Sequence, residues 1–170
     1  LTIEKEKLIK DLSKALSDGE KIFDNLTDSD IDFGEIEVDG EKYKVTNSTY
    51  SSLVTNKNVK IRQSAFKKFY GTFKKYKTTM TSVIDSHVKK SATIAKIRNF
   101  NSFLECSMFD DELTTDVFNS LIKSVNDGLP TLYKYFKVKK EVLSIKDFHV
   151  YDTYAPIEFT YNRTFTYDEC

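Results

Sequence analysis

The chain has little of what metal and thiol chemistry are built from, with two histidines and two cysteines in 170 residues. His87 and His149 lie far apart, and neither has a second histidine four residues away, so they make no recognisable zinc-binding helix. Cys106 and Cys170 are equally isolated. Without C-x-x-C spacing they argue against a zinc knuckle, a redox pair or a secreted disulfide framework, and they suit a reducing cytoplasm. Charge of one sign is also missing: 26 Lys plus Arg balance 26 Asp plus Glu. No overall field draws the chain to nucleic acid or to an anionic membrane. No apolar run approaches the ~20 residues of a spanning helix, and Leu1–Lys10 lacks the basic-then-apolar pattern of a signal peptide. The sequons at Asn25, Asn47 and Asn162 therefore read as chance matches. There is no Gly-rich phosphate loop, no G-x-S-x-G elbow, no internal repeat and no low-complexity tract.

What is present is the composition of a folded globular protein, 31% charged and 39% hydrophobic, with 13 Phe and 10 Tyr. Leu8, Leu12 and Leu16, followed by Gly19 and then Ile22, Phe23 and Leu26, predict two short amphipathic helices around a break. Ile31, Phe33, Ile36 and Val38 alternate toward Asp39-Gly40, and Tyr43 and Val45 alternate beyond it. An Asp-Gly pair between such runs predicts a β-hairpin, over about 31–46, that must pack against neighbouring helices to be stable. From 56 to 99 an apolar stripe through Val59, Phe66, Phe69, Phe73, Met80, Ile84, Val88 and Ile94 predicts one long helix or two nearly collinear ones. Asn101–Met108 adds a short helical turn. A second long stripe starts at a Thr114 N-cap and passes Val117, Phe118, Leu121, Val125, Leu132 and Phe136 to Leu143. Pro130 lies inside it, so a kink is expected near 126–130. Phe148–Pro156 reads as extended and aromatic-rich. The expected fold is mainly α, a helical bundle with long antiparallel helices and one small β-hairpin.

Each chemical candidate has a plain structural counterpart. His87 falls on the apolar stripe beside Ile84, which favours a core or interface role over a ligand. His149, between Phe148 and Val150 with Asp152 nearby, reads as an aromatic-flanked packing residue. Lys57, Lys60, Arg62, Lys67, Lys68, Lys74, Lys75 and Lys77, with Tyr70 and Tyr76 interleaved, could contact phosphates. In a neutral chain they read better as a solvated helix face. Cys106 has no base arranged beside it. The residues by themselves thus indicate a mainly helical domain, with a self-standing macromolecule-binding module as one open function.

Longer segments carry a more specific signal. Ala95-Lys96-Ile97-Arg98-Asn99-Phe100-Asn101-Ser102-Phe103-Leu104-Glu105 resembles the segment near the start of the peptidase region of the oligoendopeptidase F family, which is similar to thimet oligopeptidase. Asp116 through Ile122, Leu129-Pro130 and Tyr135 through Leu143 are similar to the helix that follows there. Phe148-His149-Val150-Tyr151-Asp152-Thr153-Tyr154-Ala155-Pro156 resembles the family's tyrosine-aspartate-to-proline segment, and Phe165–Glu169 the helix start after it. Upstream, Ile22–Leu26, the hairpin and Asn56–Phe66 with Arg62 resemble the small helical domain that precedes the peptidase domain. The resemblance implies an amino-terminal helical domain at 1–78 and the opening helices of a zinc peptidase domain at 79–170. It implies a cytoplasmic parent protein that cleaves short peptides by zinc-assisted hydrolysis through an H-E-x-x-H helix.

No H-E-x-x-H occurs here. The expectation is therefore an inactive portion, with no catalytic, cofactor-binding or metal residue of its own and zinc held only by the parent. Its partners would be the rest of the peptidase domain and, for the parent, short peptides; no nucleic acid or membrane is expected. The Leu start and the helix-like close at Thr166–Cys170 suggest that the sequence is a piece, whose uncovered helix faces would favour self-association.

Overall fold

The computed structural model describes residues 1–15 and 18–157. Its elements run α1 (Ile3–Ala15), α2 (Asp18–Asn25), a π turn (Leu26–Asp30), β1 (Glu35–Val38), β2 (Glu41–Lys44), α3 (Asn47–Val54), α4 (Val59–Lys75), α5 (Lys77–Ile97), α6 (Phe103–Phe109), α7 (Thr115–Val142) and a 3-10 helix (Val150–Tyr154). The architecture is mainly α with a single antiparallel hairpin among the described residues.

The hairpin forms where the Asp-Gly signal put it. Val38 pairs with Glu41 across a two-residue turn in which Asp39 (φ 53°) and Gly40 (φ 86°) are both left-handed. Such a turn matches the twist of the strands it joins. Alternation then sends Ile36 and Val38 inward and Glu35 and Glu37 to solvent. The Asp39 carboxylate accepts from Lys60 Nζ at 2.7 Å and Asn58 Nδ2 at 3.3 Å, which ties the hairpin tip to the start of α4.

The main core lies between this hairpin, α3 and α4. It contains Ile31, Phe33, Ile36, Val38, Val45, Leu53, Ile61, Ala65 and Phe69. The Phe69 ring stacks on Phe33 (centroids 4.8 Å apart) and on Tyr50 (4.1 Å), while Phe73 meets Phe33 and Phe69 edge-on. A two-stranded ribbon is marginal alone, and these aromatics supply the apolar area that holds it.

Several elements depart from the sequence expectation. Gly19, expected as the break between the first helices, lies inside α2; Leu16 is outside the described residues. Helix α3 had no periodic signal, yet Thr46 caps it: Thr46 Oγ1 accepts from Thr49 N at 3.1 Å, and Thr49 Oγ1 accepts from Thr46 N at 2.9 Å. The long stripe, expected as one helix or two, takes the second form and divides at Tyr76, whose φ of −99° and ψ of 13° end α4 before α5 begins. Phe148–Pro156 is not extended throughout, because Asp152 accepts from the His149 N–H at 2.9 Å and winds Val150–Tyr154 into the 3-10 helix. The second stripe, by contrast, forms one long helix as expected, α7 running 28 residues with Pro130 inside it.

The long helices expose much of their apolar stripes. On α5 Ile84 is 62% and Val88 57% exposed; on α7 Leu121 is 61% and Val125 56% exposed. Among the residues of α7 only Lys139 is buried.

Candidate functional site

The most constrained polar cluster is one that spacing along the chain does not suggest. Asn58 caps α4 by accepting from Lys60 N at 2.9 Å, and its carbonyl takes the Ile61 and Arg62 N–H groups. This first turn fixes Arg62 against the 3-10 helix rather than in solvent. Arg62 Nη2 donates to Asp152 Oδ1 at 2.6 Å, with side-chain exposures of 3% and 0%. Arg62 Nη1 donates to the carbonyls of Asn56 (2.9 Å) and Lys57 (2.8 Å). The second Asp152 oxygen takes the His149 N–H. Both charges are thus paired and hydrogen-bonded, as burial demands.

Neighbouring groups extend the clamp. Lys139, buried near the end of α7, donates from Nζ to the Thr153 carbonyl at 2.7 Å. Gln63 Nε2 reaches Tyr151 Oη at 3.1 Å, and Tyr151 packs against Phe66. His149 stacks on Tyr151 with centroids 5.0 Å apart, and its Nδ1 lies 2.8 Å from the Asp147 carbonyl. The cluster joins α4, α7 and the 3-10 helix. The Arg62–Asp152 pair itself offers no accessible acid or base: the guanidinium does not deprotonate, and the Asp152 side chain is fully buried.

The other candidates separate. His87 is exposed on α5, so of the core or interface role expected for it the core position is excluded; the neighbouring Ile84 and Val88 are exposed with it. His149 does pack on an aromatic ring but stays half exposed. In the basic run, Lys57, Lys60, Lys67, Lys68, Lys74, Lys75 and Lys77 are exposed, whereas Arg62 is not part of the solvated face. Cys106 is buried beside Arg98. Burial is the largest single effect and opposes the charge on Arg98, but the bond to Glu6 (2.9 Å), the Glu6 charge and Cys106 together raise its pKa. Cys170 and the helix start at Thr166 lie outside the described residues. Among the described residues no three His, Cys, Asp or Glu side chains are gathered as a metal requires, so they do not fit a zinc site.

An α-helical scaffold with a small hairpin, stitched by a buried ion pair, matches solved peptidase chains. Oligoendopeptidase-F from Enterococcus faecium is 28% identical and superposes with a TM-score of 0.87 over 94% of this chain and 32% of that one. A peptidase-like structure from Chlamydophila abortus gives the same TM-score at 26% identity. The family model for peptidase family M3 matches residues 52–170, and the chain belongs to that family. Its curated relatives include an oligoendopeptidase F homolog from Borreliella burgdorferi, 34% identical over 92% of this chain and 26% of the relative. The oligopeptidase PepF of Bacillus subtilis is 29% identical over 99% of this chain and 25% of the relative. The chain therefore spans about a quarter of the length of these relatives.

Proposed function

We propose that the chain is the amino-terminal portion of a zinc-dependent oligoendopeptidase that hydrolyses short peptides. In this reading it forms accessory and channel-wall structure, and the metal and the catalytic residues are supplied by the rest of the parent protein. Residues 1–78 are the accessory helical domain and 79–170 the opening helices of the peptidase domain. The observation that carries the proposal is the family M3 match across 52–170, joined to relatives named as oligoendopeptidases. The described residues hold no metal-ligand cluster, so no step of hydrolysis is assigned to them.

A cytoplasmic location belongs to the same proposal; separately, among the described residues no helix is long and apolar enough to cross a membrane. The test is the parent protein assayed on short internally quenched peptides: cleavage lost on chelation and restored by zinc is expected. Absence of chelator-sensitive cleavage rejects the proposal. A second reading, a helical interaction module, draws on the exposed apolar faces of α5 and α7. Coding sequence continuing past Cys170 into an H-E-x-x-H motif decides for the peptidase, and a stop codon there for the module.

A further inference from the structure

The chain is neutral as a whole, but its charges are segregated. No Asp or Glu stands between Glu41 and Asp85, whereas Asp24, Asp28, Asp30, Glu35 and Glu37 crowd the stretch before it. The fold keeps the two signs apart. Ile36 and Val38 face the core from β1, which turns Glu35 and Glu37 to solvent on the far side of the hairpin. Ile61, Ala65 and Phe69 face the same core from α4. Lys67, Tyr70 and Lys74, three and four residues apart, therefore form an outward row on the opposite side, with Lys75 beside it. We propose that this face of α4, joined by Tyr154, binds single-stranded nucleic acid, with phosphates on the lysines and bases against the exposed tyrosine rings. Such a partner is independent of the peptidase reading, and it departs from the expectation that a neutral chain has no nucleic-acid partner.

Three observations carry it. Lys67, Lys74 and Lys75 are exposed and have no ion-pair partner among the described residues, whereas Lys60 is paired with Asp39, and Lys57 is left out because it is already engaged. Lys68 turns its ammonium toward Gly34 and is left out as well. Next, Tyr70 is 50% and Tyr154 55% exposed. Burial, foremost, and then the Tyr70 and Tyr154 groups push the Tyr50 phenol up, so the 3-10 helix brings Tyr154 to the side of α4 that carries Tyr70. The Tyr70 ring is braced by Phe66 and Tyr50, with centroids 4.7 and 6.0 Å away.

The third observation is the kind of cation. Arg62 of α4 faces inward and is bonded to Asp152, so the outward row offers lysine alone. A compact ammonium attracts phosphate without arginine's fixed fork, and cations interleaved with ring faces suit a strand whose bases are unstacked. A duplex hides those base faces, and an acidic protein segment would give the rings no role. The carboxyl end of α4 opposes an anion with about half a charge, which three ammonium groups exceed.

The experiment is fluorescence anisotropy of a labelled oligothymidylate of about twelve nucleotides, titrated with the 170-residue chain at several salt concentrations. Saturable binding should weaken with salt at a log–log slope of about −2, and Lys67→Ala and Lys74→Ala should each flatten it by about 0.7. Tyr154→Leu should weaken binding about fivefold and leave the slope unchanged. Tyr154 is preferred to Tyr70 because Tyr70 also packs on Phe66 and Tyr50. Lys123→Ala, on α7 and paired with Asp127, should change nothing. Absence of saturable binding at low salt overturns the proposal, as does equal competition by polyglutamate or by duplex DNA. Indifference to the α4 lysine substitutions, an equal effect of Lys123→Ala, or indifference to Tyr154→Leu overturns it too. None of these readouts requires peptide cleavage, so failure here leaves the proposed function standing.

Discussion

Asp152 is the residue on which most of the polar interior depends. It accepts from Arg62 of α4 and from the backbone of His149, and it is completely buried. Asp152→Asn keeps the shape but leaves the guanidinium charge uncompensated in a dry site. We expect a loss of about 3–5 kcal/mol in urea unfolding, and a smaller loss when Arg62→Met and Asp152→Leu are combined. A single-substitution loss below about 1 kcal/mol would show that the pair contributes little.

The exposed Asp39 gives the pH counterpart. Its bonds to Lys60 and then Asn58 hold its carboxyl below the ordinary carboxylate value. A depressed folded pKa means that the contribution is present above the unfolded pKa and is lost as pH falls through the folded one. The Gly40 and Lys60 amide signals should therefore titrate together below the usual Asp range in NMR. Asp39→Asn should remove that transition while tolerating the left-handed φ.

At the scale of elements, short-range chemistry overrides periodicity. Helix α3, with the sequence NSTYSSLV, has little apolar repeat, and its start is set by the reciprocal Thr46–Thr49 bonds. Thr46→Ala should cost about 1 kcal/mol and raise amide exchange in α3 before that in α4. The division between α4 and α5 falls at Tyr76, with neither Gly nor Pro there. Tyr76 and Met80 pack against the hairpin core, so tertiary contact, rather than a local breaker, accompanies the end of α4.

For the molecule as a whole, the contrast is between a packed end and an open one. The hairpin, α3 and α4 share a continuous aromatic core, whereas α7 exposes apolar residues from Val117 to Val142. Contiguous apolar surface of this kind favours association. Sedimentation velocity should show concentration-dependent self-association of the isolated chain, reduced by the paired change Leu121→Asp and Val125→Asp. A strictly monomeric species at high concentration would count against it.

The sequence by itself determined the elements whose signal is local: the Asp39-Gly40 turn, the short helical turn that forms α6 and the apolar stripes of α5 and α7. Its ordered run of segments also pointed to the peptidase family that the M3 match supports. Only tertiary structure decided what those stripes face, since amphipathicity marks a side for burial but does not supply its cover. His87 is exposed for that reason. Arg62 shows the reverse case. It sits in a lysine-rich run that reads as solvated, yet it is buried because its carboxylate partner comes from Asp152, 90 residues away. A charge can leave water only where the fold delivers a counter-charge and hydrogen-bond acceptors, and no local spacing encodes that meeting.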